Sequence, residues 1–541
     1  MGKKSFLQGA VVLGIAGIII KILGAAFRIP LANIIGDTGM GYYQTAYPVY
    51  VLLLTLSTAG VPVAISRMVA ERNAMGNPYE AYRVFKISFG LLFTIGISSS
   101  AVLFFGAEFI VGYLGNPGAK TAMMSIAPAL LFVPIMASFR GFFQGMQNMN
   151  PTAVSQVMEQ LFRVIIGLYL AVILANRGLE YAAAGASFGA TAGSVAGLIA
   201  VFGIFVYRNK SIDKGRVRPS VESTCKILVG ILAIAVPITI GAAIMPIMNT
   251  IDVAIVIKRL TSSGFTPDAA NSLYGQLTGM AGPLINFPQV LTQAISMSLV
   301  PAVAAAYKRR ETEFLRYNVE LGLRTALILG LPSALGLMVL SEPIMLLLYP
   351  AQKASAISAA PSLWILSFGV IFLATVQTLT GVLQGIGKQL IPVRNLAIGA
   401  LVKVAITYYL TALPSINIRG AALGTVSAYI VASTLNLIAV KRLTGARFDL
   451  CMTVVKPLFS GLVMSGGVYV SHSLLTILLR NAKYSVTITG GIATAISIVI
   501  GAIIYLLMLI ITRAITNDEL KLMPKGEKVI GIFERFKRDN V

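Results

Sequence analysis

The stretch ASFRGFFQGMQNMNP at 137–151 has a near-echo, QTLTGVLQGIGKQLIP, at 377–392. At an offset of 240 residues, two glycines and a glutamine coincide, and one inserted residue later so does a proline: Gly141, Gln144, Gly145 and Pro151 match Gly381, Gln384, Gly385 and Pro392. Further on, AAAGAS at 182–187 matches AALGTV at 421–426. A helical hairpin and the helix after it are thus repeated, which predicts two related halves.

The composition of the chain is that of a polytopic membrane protein. Of its 541 residues 56% are hydrophobic and only 12% are charged, and the mean hydropathy is +0.82. A soluble domain carries about 25% charged residues. Apolar runs of about 20 residues cross a hydrocarbon core of roughly 30 Å, and in lipid such runs must be helical. The sequence predicts fourteen helices, near 5–34, 42–66, 85–112, 121–147, 152–176, 182–207, 227–257, 273–303, 319–349, 357–386, 391–413, 419–440, 457–479 and 485–512.

The distribution of basic residues predicts the topology. If the N-terminus lies inside, 30 of the 43 lysines and arginines fall in cytoplasmic segments and eight in outer loops. The positive-inside rule then places both termini in the cytoplasm. The first apolar run continues from the basic start, so we expect no cleavable signal peptide. The net charge of +23 therefore reflects topology, and we expect no nucleic-acid partner.

The repeat predicts the domain organisation. Residues 1–207 form an N-terminal six-helix lobe, 208–226 a basic cytoplasmic linker, and 227–440 a C-terminal six-helix lobe; 441–512 add helices 13 and 14, and 513–541 a basic amphipathic cytoplasmic tail. Because six is even, both lobes enter the membrane from the same side and are parallel repeats around a central cavity. In predicted helix 8, the run GPLINFP at 282–288 carries two prolines and predicts a broken or bent helix. We expect a monomer.

Charged residues inside the predicted spans mark candidate sites, because a charge at the bilayer centre costs about 2.5 kcal/mol or more. Lys21, Gly24 and Arg28 share one face of helix 1. Neither cation has an acid within a turn, so we expect both to line the cavity and to meet an anionic cargo. Arg140 and Gln144 are also spaced i, i+4 and are candidates for the same cavity, although Arg140 could instead snorkel to the cytoplasmic surface.

Two further sets of polar residues complete the predicted site. Glu159 and Arg163 are spaced i, i+4 on helix 5, which predicts a structural or gating ion pair. Asn249 and Asp252 lie on helix 7, and Gln289 and Gln384 belong to the neutral polar residues of the second half. A cationic first half and a neutral polar second half would suit a lipid pyrophosphate that carries sugars.

No catalytic or nucleotide-binding pattern accompanies these residues. The phosphate-loop motif is absent from the sequence, and the single histidine, His472, and the two cysteines, Cys225 and Cys451, are far apart. We therefore expect a transporter rather than an enzyme, with no cofactor or metal. Membrane potential or a monovalent ion is the expected source of energy.

The opening FLQGAVVLGIAGIIIKILGAAFRIPLANIIGDTGMGYYQTAYPVY at 6–50, with STAGVPVAISRMVAE at 57–71, FRGFFQGMQNMNPTAVSQ at 139–156 and INFPQVLTQAISMSLVPAVAAAYKRRE at 285–311, resembles the polysaccharide-transporter branch of the multidrug/oligosaccharidyl-lipid/polysaccharide exporter superfamily. Within it the likeness is greatest to the stage V sporulation protein B group and the MurJ-type lipid II flippases. The resemblance covers essentially the whole chain. It implies two six-helix lobes, with two additional helices that form a groove open to lipid.

The activity that the resemblance implies is the flipping of undecaprenyl-pyrophosphate-linked saccharide, such as lipid II, from the inner to the outer leaflet of a bacterial plasma membrane by alternating access. Cell-wall synthesis proteins are the expected partners. The chain departs from the Gram-negative pattern of cavity arginines, with Phe27 beside Arg28 on helix 1 and Pro283 on helix 8, so only the cationic role of helix 1 carries over. The alternatives are a cation-coupled multidrug exporter of the same superfamily and a non-transporting scaffold for sporulation or division.

Overall fold

The computed structural model describes residues 3–209, 222–480 and 486–514. Nearly all of them are helical, and no strand occurs within those ranges. The helices are α1 Lys3–Thr58, α2 Val61–Ala74, α3 Pro78–Phe105, α4 Ala107–Leu114, α5 Lys120–Ile126, α6 Ala129–Gly145, α7 Asn150–Ala175, α8 Leu179–Asn209, α9 Thr224–Ser262, α10 Pro267–Gly275, α11 Gly282–Arg309, α12 Thr312–Val339, α13 Ser341–Leu348, α14 Lys353–Gly385, α15 Leu390–Leu410, α16 Arg419–Thr444, α17 Lys456–Arg480 and α18 Val486–Ile511. Most of the predicted linker, and the tail from residue 515 onward, lie outside the described residues.

Thirteen helical stretches among the described residues are long and apolar enough to cross a membrane, and the first, Val12–Ala74, is 63 residues long. At 1.5 Å per residue a straight helix of that length would measure about 95 Å, roughly three times a hydrocarbon core. The first stretch therefore holds two of the predicted spans, and the fourteen predicted helices correspond to these thirteen stretches. The predicted all-helical membrane fold is confirmed.

The chain breaks its first helix at Gly36, whose backbone (φ 66, ψ −171) is not helical. A positive φ favours glycine because a Cβ there is strained, and a Cβ at Gly36 would also lie 3.2 Å from the side chain of Gln352. The second half of α1 ends at Thr58, and Val61 begins α2 with Pro62 in its first turn. Predicted helix 2, near 42–66, is therefore divided, because proline is accepted most easily where a helix starts.

The described residues fall into two compact units. Unit 1 comprises Met1–Pro283, Ala351–Ala359 and Val404–Ala421, and unit 2 comprises Leu284–Pro350, Ala360–Lys403 and Ala422–Val541. Unit 1 has a core rich in phenylalanine, in which the ring centroids of Phe85 and Phe142 are 4.9 Å apart. Aliphatic side chains of α11, α12, α14 and α16 form a core in unit 2.

The repeat extends further than its sequence signal. α3 and α4, of 28 and 8 residues, recur as α12 and α13, of the same lengths, 234 positions later. The repeated glycines also dock alike. A Cβ at Gly141 would lie 2.9 Å from the Pro62 carbonyl on α2, and one at Gly381 would lie 2.6 Å from the Ser296 carbonyl on α11. The glycines of the opening motif thus let α6 touch α2, and α14 touch α11, in the same way.

The irregularity predicted at GPLINFP takes the form of a π-helix over Gln276–Ala281, between α10 and α11. Pro283 has no N–H to donate to the carbonyl four residues before it, which weakens the α-helical pattern at this place. α11 continues through Pro288. The distortion therefore lies before the two prolines rather than between them.

Candidate functional site

Close packing between α7 and α8 fixes the position of the predicted ion-pair residues. Glycines recur every fourth residue along α8, and Cβ atoms at Gly189 and Gly193 would collide with the backbone carbonyls of Arg163 and Glu159. Small residues at this spacing let two membrane helices approach until their backbones touch. The rotation of α7 is therefore set, with Glu159 and Arg163 held on α7 at fixed positions.

Glu159 pairs with an arginine on the neighbouring helix α6. Arg140 Nη2 lies 2.9 Å from Glu159 Oε2, and Arg140 Nε donates to Ser155 Oγ at 2.8 Å. The two charged side chains are only 13% and 24% exposed. The predicted pairing of Glu159 with Arg163 is wrong. The short connection between α6 and α7 brings Arg140 beside Glu159, and a contact between helices prevails over the i, i+4 contact along α7.

Arg163 instead contacts a run of tyrosines on α1. Its guanidinium carbon lies 5.4 Å from the ring centroid of Tyr47, within cation–π range. Tyr47 stacks on Tyr43 at 5.7 Å and lies 6.0 Å from Tyr50. Their i, i+4, i+7 spacing places the three rings on one helix face. Sequence reasoning passed over these residues, although that spacing in YQTAYPVY, residues 43–50, was a usable signal.

Arg28 joins the same group from the first half of α1. It is half-buried, and the ring of its neighbour Phe27 meets the Tyr43 ring edge-on, with their centroids 6.1 Å apart. Lys21, two turns earlier, is exposed. We call the set that surrounds α7 the arginine–tyrosine cluster, and define it as Arg28, Arg140, Arg163, Glu159, Tyr43, Tyr47 and Tyr50. It contains three guanidinium groups and one carboxylate.

The other candidates of unit 1 lie outside this cluster. Gln144 Nε2 donates to Thr152 Oγ1 at 3.4 Å, which ties the end of α6 to the start of α7. On α9, Asn249 is exposed and Asp252 is half-buried. Whether these side chains contact cargo stays a prediction.

In unit 2, Thr380 occupies the position that Arg140 has in the first copy of the opening motif. Thr380 Oγ1 accepts from Asn436 Nδ2 at 3.5 Å, and Asn436 Oδ1 accepts from Asn395 at 2.9 Å. Asn395 lies near the start of α15, the helix that follows the repeated motif, as Ser155 lies near the start of α7. The second half thus keeps polar contacts at this place without charge. In the same unit Gln289 is half-buried and Gln384 is exposed.

Residues 6–307 of the chain match the family described as polysaccharide biosynthesis protein, a segment that covers more than half of the sequence and the whole arginine–tyrosine cluster. The chain belongs to the polysaccharide biosynthesis protein family. Residues 276–409 also match the MatE family, so both halves show the relationship to exporters of the multidrug/oligosaccharidyl-lipid/polysaccharide superfamily, and the predicted resemblance is confirmed.

Two relatives from one organism align with most of the chain. Stage V sporulation protein B of Bacillus subtilis (strain 168) is 29% identical over 525 residues, which are 97% of this chain and 98% of that protein. Lipid II flippase MurJ of the same organism is 29% identical over 469 residues, 83% of this chain and 84% of that protein. A solved structure of lipid II flippase MurJ in an inward closed conformation has a TM-score of 0.70 at 18% identity, covering 93% of this chain and 99% of that one. At that identity the structural likeness shows the fold alone.

Proposed function

We propose that the protein flips an undecaprenyl-pyrophosphate-linked saccharide, lipid II or a related cell-envelope precursor, from the inner to the outer leaflet. The family and the named relatives support a transporter of lipid-linked cargo. The observation that carries the choice of cargo is the arginine–tyrosine cluster. Its three arginines exceed its one carboxylate, and that carboxylate already accepts a hydrogen bond from Arg140. Lys21 adds a fourth cation on the same helix as Arg28.

The cluster suits a phosphate better than a cationic drug. Arginine offers a planar fork of donors that matches phosphate oxygens, and a half-buried site strengthens that attraction. Tyrosine rings beside the arginines offer stacking surfaces and hydroxyl donors for the sugar next to the pyrophosphate. A cationic drug would meet a surplus of like charge. The neutral polar residues of the second half suit the remainder of a saccharide.

An apolar cavity in unit 2 supports the lipid part of the proposal. It has a volume of about 490 Å³ and is lined by α11, α12, α13, α17 and α18. Apart from Ser333, its lining side chains are apolar, and the Ser333 hydroxyl donates to the Leu329 carbonyl at 2.8 Å. Such a surface could hold a segment of a polyprenyl chain while the headgroup crosses. Membrane potential or a monovalent ion would drive the cycle, in a plasma-membrane protein with both termini in the cytoplasm.

The test of cargo class uses the full chain in liposomes that contain a fluorescent undecaprenyl-pyrophosphate-linked oligosaccharide. Flipping is measured as the fraction of label that becomes accessible to a quencher outside, with and without an imposed potential. A parallel set of liposomes measures the transport of ethidium, a cationic drug. We expect flipping and no ethidium transport. Ethidium transport alone would favour the drug exporter, and activity in neither assay would favour the scaffold.

A further inference from the structure

Two irregular helices meet where the α1 break faces α10 and the π-helix, all within unit 1. On one side, Gly36 interrupts α1 directly before Asp37 and Thr38. On the other, Gln276 begins the π-helix that ends at Ala281. In membrane transporters, broken helices of this kind leave backbone and side-chain oxygens that coordinate small cations.

Asp37 carries a negative charge without a basic partner at this place. None of the ion pairs in the described parts of the chain includes it. Its Oδ1 accepts from the Thr38 N–H at 2.8 Å, and its Oδ2 accepts from Gln276 Nε2 at 2.8 Å. Asp37 is half-buried, and partial burial of a carboxylate is unfavourable unless its oxygens have compensating contacts. Among the described residues, the hydrogen bonds that its carboxylate accepts come from neutral donors.

The second observation concerns the other end of the same amide. Gln276 is only 6% exposed, and its Oε1 is buried without a hydrogen-bond donor in the described part of the chain. A buried amide oxygen without a donor is destabilising. Rotation of the amide by half a turn would direct Oε1 at the Asp37 carboxylate. That arrangement is repulsive unless a cation lies between the two oxygens.

Hydroxyl oxygens complete the group. Thr38 Oγ1 lies 3.4 Å from Asp37 Oδ1 and 2.7 Å from Ser272 Oγ. One carboxylate, one amide carbonyl and two hydroxyls form a set of hard oxygen ligands with a single negative charge. Such a set suits a monovalent ion better than a divalent one, which usually recruits more than one carboxylate.

We propose that Asp37, Thr38, Ser272 and Gln276 form a binding site for a sodium ion. The ion would bridge the two irregular helices and would hold the segment of α1 around its break against α10. The nearby hydrogen bond from Gln44 Nε2 to the Thr278 carbonyl, 2.6 Å long, joins the same two segments without taking part in the site. Sodium binding here does not depend on the identity of the cargo.

The test uses the purified full chain in detergent without cargo, and measures binding of radioactive sodium and the thermal midpoint Tm in NaCl, KCl and choline chloride at constant ionic strength. We expect about one sodium ion per chain and a saturable rise of Tm in NaCl alone. Asp37→Asn should raise the sodium concentration of half-saturation at least about tenfold. As the matched control, Gln44→Ala should lower Tm but keep the sodium-dependent increment.

Several results would overturn the proposal. They are the absence of a saturable sodium response, an equal response to choline, a response that Asp37→Asn leaves unchanged, or a Tm that follows pH but not sodium. If Asp37→Asn does not fold, Gln276→Glu takes its place. A second carboxylate should tighten sodium binding several-fold, and an unchanged half-saturation would contradict the site.

Discussion

The pairing of Arg140 with Glu159 can be tested by a double-mutant cycle. Arg140→Thr copies the residue found at the same place in the second half, Thr380, and Glu159→Ala removes the carboxylate. Each single variant leaves one charge half-buried without its partner, whereas the double variant removes both charges. We therefore expect the double variant to be more stable than the sum of the two single losses predicts.

The structure sets the magnitude of this coupling. An exposed ion pair contributes about 0.2–1 kcal/mol, and breaking a fully buried one costs about 3–5 kcal/mol. The side chains of Arg140 and Glu159 are 13% and 24% exposed, and their N–O distance is 2.9 Å. The pair lies between those limits, so we expect a coupling of about 2 kcal/mol. In a unit of this size, that energy corresponds to a difference in Tm of roughly 4 °C.

The assay is the thermal midpoint of the purified protein in detergent for the wild type, both single variants and the double variant. Arg67 and Glu71 provide a matched control, because they form an Arg–Glu contact of 2.8 Å whose side chains are 66% and 50% exposed. The same cycle on that pair should give a coupling of about 0.3–0.5 kcal/mol. Strictly additive losses for Arg140 and Glu159, or a coupling no larger than that of the control, would refute the reasoning.

Two further predictions concern helix packing and the tyrosines. Gly193→Ala should destabilise the protein by about 1–3 kcal/mol, because the new Cβ would collide with the Glu159 carbonyl. As a control, Gly203→Ala, on the same helix with open space around it, should leave Tm almost unchanged. Equal Tm values for the two variants would contradict the close packing of α7 and α8. Tyr47→Ala should lower Tm, because the variant loses the contact between the Tyr47 ring and Arg163. Tyr47→Phe keeps the ring and should keep most of the cation–π contribution of about 0.5–2 kcal/mol. Equal decreases of Tm in the two variants would assign the effect to the hydroxyl instead of the ring.

Hydropathy alone was enough to predict the number and approximate position of the spans, because the cost of exposing polar groups to lipid dominates the sequence pattern. The ends of the helices were harder to predict. Predicted helix 2 is divided, because α1 ends at Thr58 and α2 begins at Val61. At this break Gly60 packs against α9, where a Cβ on Gly60 would collide with the Ala235 carbonyl. Such a tertiary contact is not visible in the local sequence. The sequence signal of the repeat was clear only where its glycines make contacts.

The candidate site was predictable only in part. The cost of burying charge directed attention to four residues that the structure places on or beside α7, namely Arg28, Arg140, Glu159 and Arg163. Which of them pair was not predictable, because Arg140 and Glu159 are 19 residues apart and meet only through the turn between α6 and α7. Asp37 falls between the predicted helices near 5–34 and 42–66, and its contact with Gln276 joins residues 239 positions apart. Contacts at such separations leave no local pattern.

The most direct test of the proposed function is the flipping of lipid-linked oligosaccharide by the Lys21→Ala, Arg28→Ala double variant in liposomes. A charge-assisted hydrogen bond contributes about 1.5–3 kcal/mol, so the loss of Arg28 alone should reduce the rate of flipping roughly ten- to a hundredfold. Arg177→Ala, which removes an exposed cation beyond the end of α7, should retain the wild-type rate. Wild-type flipping by the double variant, at normal amounts of protein in the liposomes, would contradict a cationic site for the pyrophosphate.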